Sequence, residues 1–268
     1  PNGKINKPSL KEDFILTKAN YLLNHSVGRP LKTSEKNFSE QLYTPWKNSL
    51  SEPWEQWLEI INEFTASLAK LFNGKQSEFC PQVNLSSGLT KILMSLDRAQ
   101  KKNCVILVSE IDFPGMGFAL KKSLPEDCEI RFIPSNIDIT NVGVWDEHLT
   151  EDVDLVFVSH AYSNTGQLSP ISEVLSIARS RNIISILDIA QSVGIVPIDL
   201  KVLNPDFMIG SSVKWLCGGP GAAYLWINSD RLASCNPKDV GWFSHENPFE
   251  FDIHNFRYHD SALKFWGG

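Results

Sequence analysis

From about residue 100 onward, short apolar runs rich in β-branched and aromatic residues alternate with segments of helical periodicity, and this alternation constrains the chain more than any other feature. Apolar runs with no polar face belong to strands covered on both sides, so the pattern predicts βαβ units around a largely parallel sheet. The expected strands are CVILVS (104–109), EIRFI (129–133), DLVFVS (154–159), IISILD (183–188), DFMIG (206–210) and AAYLWI (222–227). Between them, ISEVLSIARSR (171–181) carries apolar residues at i, i+3, i+4 and i+7, as a crossover helix requires. A doubly wound α/β fold is the economical solution.

The first third differs. Residues 54–72, WEQWLEIINEFTASLAKLF, form a long amphipathic helical pattern closed by Asn73-Gly74, a stop followed by a turn. Ahead of it, a polar stretch punctuated by Pro30, Pro45 and Pro53 contains YLLNHSVGRP and reads as an N-terminal arm outside the sheet. The expected division is therefore an arm over 1–53 and a large domain over 54–268. At the other end the chain turns aromatic and histidine-rich (GWFSHENPFEFDIHNFRYHD), which marks the rim of a site or the hinge to a second domain.

Composition removes several classes of function. A chain of 268 residues with 42% hydrophobic content can fill one large core. A net charge of -6, with scattered Lys and Arg, offers no basic field for nucleic acid. Five cysteines, odd in number and without a C-x-x-C pair, argue against a disulfide framework or a zinc site and fit a reducing, cytoplasmic setting. No apolar run approaches the roughly 20 residues of a membrane span, and PNGKINKPSLKEDF has no signal-peptide core. No G-x-G-x-x-G follows the early strands, which disfavours a nicotinamide dehydrogenase.

In an open parallel sheet, ligands bind beyond the carboxyl ends of the strands. Four polar segments follow strands here: EIDFPGMG, SHAYSNTGQ, the Asp188 that ends IISILD, and SSVK with Lys214. Lys214 sits among apolar and small residues in SSVKWLCGGPGAAYLWI, and burying an ammonium without a partner costs several kcal/mol, roughly. A carboxylate at the end of an apolar strand carries a similar penalty unless a cation faces it. An amine for a Schiff base and an acid for a pyridine nitrogen are together what pyridoxal phosphate (PLP) chemistry needs.

The motifs SSGLT, SEIDFPG, SHAYSNTGQ, ILDIAQSVGIVPID and DFMIGSSVKWLCGGPGAAYLWI, in that order from about residue 80 onward, resemble the class V aminotransferase family of fold type I PLP enzymes. The resemblance implies a mostly parallel seven-stranded sheet flanked by helices, followed in family members by a C-terminal small domain that this sequence does not contain. It also implies that Lys214 forms the Schiff base and that Asp188 pairs with the pyridinium. Gln191 corresponds to a contact of the phenolic oxygen, and Asn164 to a residue beside the ring. Leu89 and Thr90 of SSGLT, with Ser211 and Ser212, resemble the phosphate cradle, which suits helix N-terminal amides. The family further implies a homodimer sharing its active site and a small-molecule amino-acid substrate.

Within the family the branch stays open. Phe113 stands where kynureninases carry an aromatic residue stacked on the ring, and GWFSHE (241–246) is similar to their GWFGHE stretch. That likeness assigns Trp242 and His245 to the substrate, together with Asn24 of the arm. Against it, Val213 replaces the tyrosine that precedes the kynureninase lysine, Gln191 replaces a histidine and Met116 an acid, while FWGG resembles other branches. A cysteine desulfurase would need a mobile cysteine and a stacking histidine, and only Cys217 and Cys235 lie near the proposed site. The alternatives are a kynureninase-like hydrolase, an aminotransferase or desulfurase of the same family, and a non-catalytic protein of the same fold.

Overall fold

A computed structural model of the chain describes residues 10–268, so the first nine residues of the expected arm lie outside the described residues. Seven strands form one sheet in the order β1-β7-β6-β5-β4-β2-β3: β1 Phe79–Gln82, β2 Val105–Ser109, β3 Glu129–Ile133, β4 Leu155–Ser159, β5 Ile184–Asp188, β6 Phe207–Ser211 and β7 Ala223–Ile227. The pairs from β6 across to β3 are parallel, and β7 runs antiparallel to both β6 and β1. Six of the strands coincide within a residue with the six apolar runs. The seventh, β1, is FCPQ, too short and too marked by Pro81 to read as a strand. It is tolerated because β1 is the sheet's edge, where a missing N–H breaks no ladder.

Alternation along the strands builds two cores. Ile106, Val108, Leu155, Phe157, Ile184, Ile186 and Ile209 face one side and pack on α2 (Leu85–Ser95) and α3 (Pro114–Ser123). Leu107, Val156, Val158, Leu187 and Met208 face the other, against α1 (Trp54–Phe72), α4 (Val142–His148) and α5 (Ile171–Ser180). A largely parallel sheet requires this double cover, because both of its faces are apolar. The helix α1 ends at Asn73 in the left-handed conformation, φ 56°, as the Asn-Gly pair predicts.

The β6–β7 connection needs no crossover helix because the two strands are antiparallel neighbours. An eleven-residue loop, 212–222, joins them instead, and it carries Lys214. The arm, by contrast, has no buried residue between 10 and 53. It folds back on itself through Ile15 N–H to Pro30 O (2.9 Å) and Lys32 N–H to Asp13 O (2.8 Å).

One expectation is corrected. Cys104 and Cys128 form a disulfide, with Cα atoms 4.6 Å apart. They precede the adjacent parallel strands β2 and β3, and Glu129 N–H donates to Cys104 O at 2.8 Å, so the strand register places them side by side. A crossover separates them along the chain, which is why their spacing carried no signal. Among the described residues, no helix is long and apolar enough to cross a membrane.

Close packing across the antiparallel pair gives a stability test. A Cβ on Gly210 would lie 2.5 Å from the ring end of Tyr224, its cross-strand partner. Gly210→Ala is expected to cost about 1–3 kcal/mol by overpacking, read by urea denaturation. Tyr224→Leu in the same chain should recover part of that loss, so the double-variant cycle is non-additive.

Candidate active site

The strand alternation that builds the α2/α3 core also places three polar side chains in a row at the carboxyl edge. Ser159 ends β4, Asp188 ends β5 and Ser211 ends β6, each in phase with the apolar residues of that face. Ser159 and Asp188 are direct cross-strand partners. All three line a cavity of about 670 Å3, together with Lys214 and Val213 from the β6–β7 loop, Phe113 and Met116 at the start of α3, and residues 83–86 at the start of α2. A larger hollow of about 810 Å3 shares Phe113 and Met116 but contains neither Lys214 nor Asp188.

Electrostatics distinguishes the smaller cavity. Burial pushes the Asp188 carboxyl up to about 6, against the opposing pull of the Ala190 amide and of Lys214. The Ala190 N–H donates to Asp188 Oδ1 at 2.8 Å, and the second carboxylate oxygen has no hydrogen bond among the described residues. Burial in turn holds Lys214 below the usual lysine value, while Asp188 pulls it back up. Asp188 thus offsets the desolvation of Lys214, while its own desolvation is offset first by the Ala190 amide and then by Lys214. Phe113 lies alongside, its ring centroid 5.9 Å from Lys214 Nζ, in reach of a cation–π contact.

A second acid stands behind the first. Asp112 accepts from Ser159 Oγ at 2.6 Å and from Ser109 N–H at 2.9 Å. Burial, with a smaller push from the charge of Asp188, raises its carboxyl to about 7 against those two hydrogen bonds. His160, the next residue after β4, keeps Nδ1 buried and without a hydrogen-bond partner among the described residues, and burial lowers its pKa. Neither residue has a signature in the sequence, since only the fold brings 112 and 159 together.

The candidate residues divide into those the fold gathers and those it does not. Lys214, Asp188, Phe113, Gln191 and Ser211 line the cavity. Gln191 is already engaged: Nε2 donates to His25 O at 3.0 Å, and Oε1 accepts from Trp215 Nε1–H at 3.1 Å. Leu89 and Thr90 do not reach the cavity, because α2 starts a full turn earlier than the SSGLT motif implies. Asn84 caps it, accepting from Ser87 N–H at 2.8 Å. Leu89 is consequently in the core, Thr90 Oγ1 accepts from Ser123 Oγ at 3.0 Å, and Asn84, Leu85 and Ser86 line the cavity in their place. An asparagine with a serine three residues on is the signal that locates this start.

Ser212 turns away, donating to Ala222 O at 2.7 Å, and Asn164 is exposed in a turn whose neighbour Ser163 reaches the cavity. Asn24 is half-buried outside the lining, which His25 and Ser26 enter instead. Trp242 and His245 belong to a separate aromatic region. Trp242 packs on Trp54 and Phe243 at 5.0 and 4.8 Å. His245 accepts from Arg257 N–H at 3.0 Å and faces Glu250 Oε2 at 3.0 Å. Within one chain these two residues brace the 242–258 segment rather than the Lys214 cavity.

The residues present fit an aldehyde cofactor with a basic ring nitrogen. The free oxygen of buried Asp188 is placed to take a ring N–H, and an amine of lowered pKa faces the same space. Fold and site together define the class, that of fold type I PLP-dependent enzymes.

Comparison with known proteins makes the assignment narrower. The Aminotransferase class-V profile matches residues 29–268, and the chain belongs to that family. A kynureninase of Shouchella clausii is 26% identical over 253 residues, covering 90% of this chain and 59% of the relative. A kynureninase of Deinococcus radiodurans is 28% identical over 243 residues, covering 86% and 57%. The chain thus spans less than two thirds of the length of these relatives. In structure, a mutant of C-DES with glycine covalently linked to the PLP cofactor superposes with a TM-score of 0.87 at 22% identity, covering 98% of this chain and 70% of that one. This likeness is one of fold.

A pH test isolates the buried acid. A carboxyl whose folded pKa lies above its unfolded value stabilises the fold below the unfolded value, and that contribution is lost as pH rises through the folded one. For Asp188 the window runs from about 4 to about 6. Asp188→Asn, which cannot ionise, should therefore gain stability relative to the parent as pH rises across this window, by on the order of 3 kcal/mol. Paired denaturation curves of the cofactor-free proteins near pH 4 and pH 8 measure it; equal differences at both pH values would refute the assignment.

Proposed function

We propose that this chain is the PLP-binding part of an enzyme that acts on an amino acid, with kynureninase-like hydrolytic cleavage of a β,γ carbon–carbon bond as its reaction. The observation that carries the proposal is the opposition of Lys214 and buried Asp188 in one cavity. The kynureninase-like branch draws its support from Phe113 beside Lys214 and from relatives that carry that name. Transamination or carbon–sulfur chemistry is the second reading, supported by Val213 and Met116, which give the cavity an apolar wall where kynureninases have a tyrosine and an acid.

PLP, when bound, supplies an aldehyde that captures amines and a ring that stores electrons. Asp188 would hold the ring nitrogen protonated, and Phe113 would cover one ring face and keep water from Lys214. Backbone amides at the start of α2, which the helix itself leaves unpaired, and the Ser211 hydroxyl would hold the phosphate. Once a substrate amine takes its place, Lys214 Nζ is free to accept the α-proton and return it. Its lowered pKa serves both tasks, because a neutral amine attacks carbonyls and accepts protons.

The reading includes a homodimer. Leu22, Phe38, Trp46 and Leu50 of the arm are largely exposed, an apolar surface that a second copy would cover. Light scattering that finds only monomer would remove this part.

Adding PLP should produce a visible absorption band, and borohydride followed by peptide mapping should place the label on Lys214. Lys214→Ala should lose both. No band, or a label on another lysine, leaves a non-catalytic protein of the same fold. Substrate choice is decided by turnover with kynurenine, cysteine and common amino donors; activity only with an amino donor and a keto acid would exclude the kynureninase-like branch.

A further inference from the structure

The arm meets the lysine turn at Gly28, in a contact tighter than any side chain permits. Gly28 N–H donates to Val213 O at 2.8 Å. A Cβ on Gly28 would lie 2.0 Å from the carbonyl oxygen of Lys214 itself, 2.7 Å from Cys217 Sγ and 2.9 Å from Cys217 Cα. The backbone of Gly28 is not in the left-handed region, so glycine is not required there by the arm's own conformation. It is required by the approach. The turn it meets is itself closed by Cys217 N–H to Lys214 O at 3.1 Å, with Cys217 at φ 57°.

Three residues earlier the arm is held a second time. The Gln191 amide links His25 O to the indole of Trp215, so a side chain from the loop after β5 connects the arm to the residue following Lys214. Val213 and Trp215 are the two neighbours of Lys214, and each is tied to the arm, one directly and one through Gln191. The arm supplies rigidity of its own: Tyr21 OH donates to Val27 O at 2.6 Å and Arg29 lies over the Tyr21 ring at 5.2 Å. Between the two ties, His25 and Ser26 become a wall of the cavity.

We propose that residues 25–28 form a clamp on the lysine turn, in which Gly28 is a positioning residue that sets the place of the Lys214 backbone and holds His25 and Ser26 against the cavity. The proposal rests on Lys214 as the reactive amine for its functional meaning. The clamp itself is a matter of contacts and is testable without PLP.

In the full chain, Gly28→Ala should speed tryptic cleavage after Lys32 by about tenfold or more, because the arm must lift from the turn. The same variant should shift the pH midpoint at which borohydride fixes PLP on Lys214, a readout that a merely structural contact would not move. Gly117→Ala, on α3 with open space around it, should change neither. Cleavage and midpoint both matching the parent protein would overturn the clamp. Hydrogen exchange of the Gly28 amide in the unsubstituted chain covers the case in which Gly28→Ala does not fold: protection of about tenfold or more is expected, and exchange at the free-peptide rate would overturn the proposal. If PLP fails to label Lys214 in the parent protein, the catalytic reading falls, while proteolysis and exchange still decide the clamp.

Discussion

A buried carboxyl facing a half-buried amine is the arrangement on which the rest of the structure depends. Neither Asp188 nor Lys214 is comfortable where it lies: burial pushes the acid up and the amine down, and each is only partly restored by the other. Desolvated pairs of this kind contribute little to stability and are retained where the perturbation itself is used. The architecture around them can be understood as the means of holding that pair in place. Parallel strands put their carboxyl ends at one edge, and alternation puts Ser159, Asp188 and Ser211 on one face of it. The antiparallel turn from β6 to β7 brings Lys214 back over the same edge within a short loop.

Small residues make this approach possible at two levels. Gly210 leaves room for the ring end of Tyr224, and Gly28 lets the arm press on the backbone of the lysine turn. In both places the glycine has ordinary backbone angles, so what it supplies is space rather than conformational freedom. The site is therefore enclosed from three directions: the sheet edge beneath, α2 and α3 on one flank, and the arm on the other. Asp112 adds a second carboxyl behind Ser159, outside the cavity lining, and its charge and that of Asp188 oppose one another.

Much of this was legible in the sequence, and the limits have physical causes. Buried parallel strands are continuous apolar runs, so six strands and the polar residues at their ends could be read directly; Asp188, Ser211 and Lys214 follow from that reading. The edge strand β1 could not, because an edge tolerates Pro81 and needs no apolar run. The SSGLT motif implies a helix opening near Thr90, whereas the cap at Asn84 starts α2 at Leu85. Gln191 was found, but not the use of its amide by His25 and Trp215, which depends on where a surface arm lies. Trp242 and His245 sit in a motif whose chain position says nothing of its place in space, and within one chain they pack away from Lys214. The Cys104–Cys128 pair likewise arises from strand adjacency, not from spacing.

The charge balance of the described lining bears on what the cavity can hold. On the proposed reading, the site must neutralise a phosphate dianion and an amino-acid carboxylate. Among the described residues that line it, Lys214 is the single Lys or Arg, and on that reading it is committed to the aldehyde. Helix N-terminal amides and the Ser211 hydroxyl suit the phosphate, since dipoles and hydrogen bonds stabilise an anion without a full positive charge. An α-carboxylate beside an apolar wall of Val213 and Met116 has no such help. On the proposed reading its cation would come from outside the described lining. On the proposed reading, substrate choice would be set where that group meets the His25–Ser26 wall of the cavity.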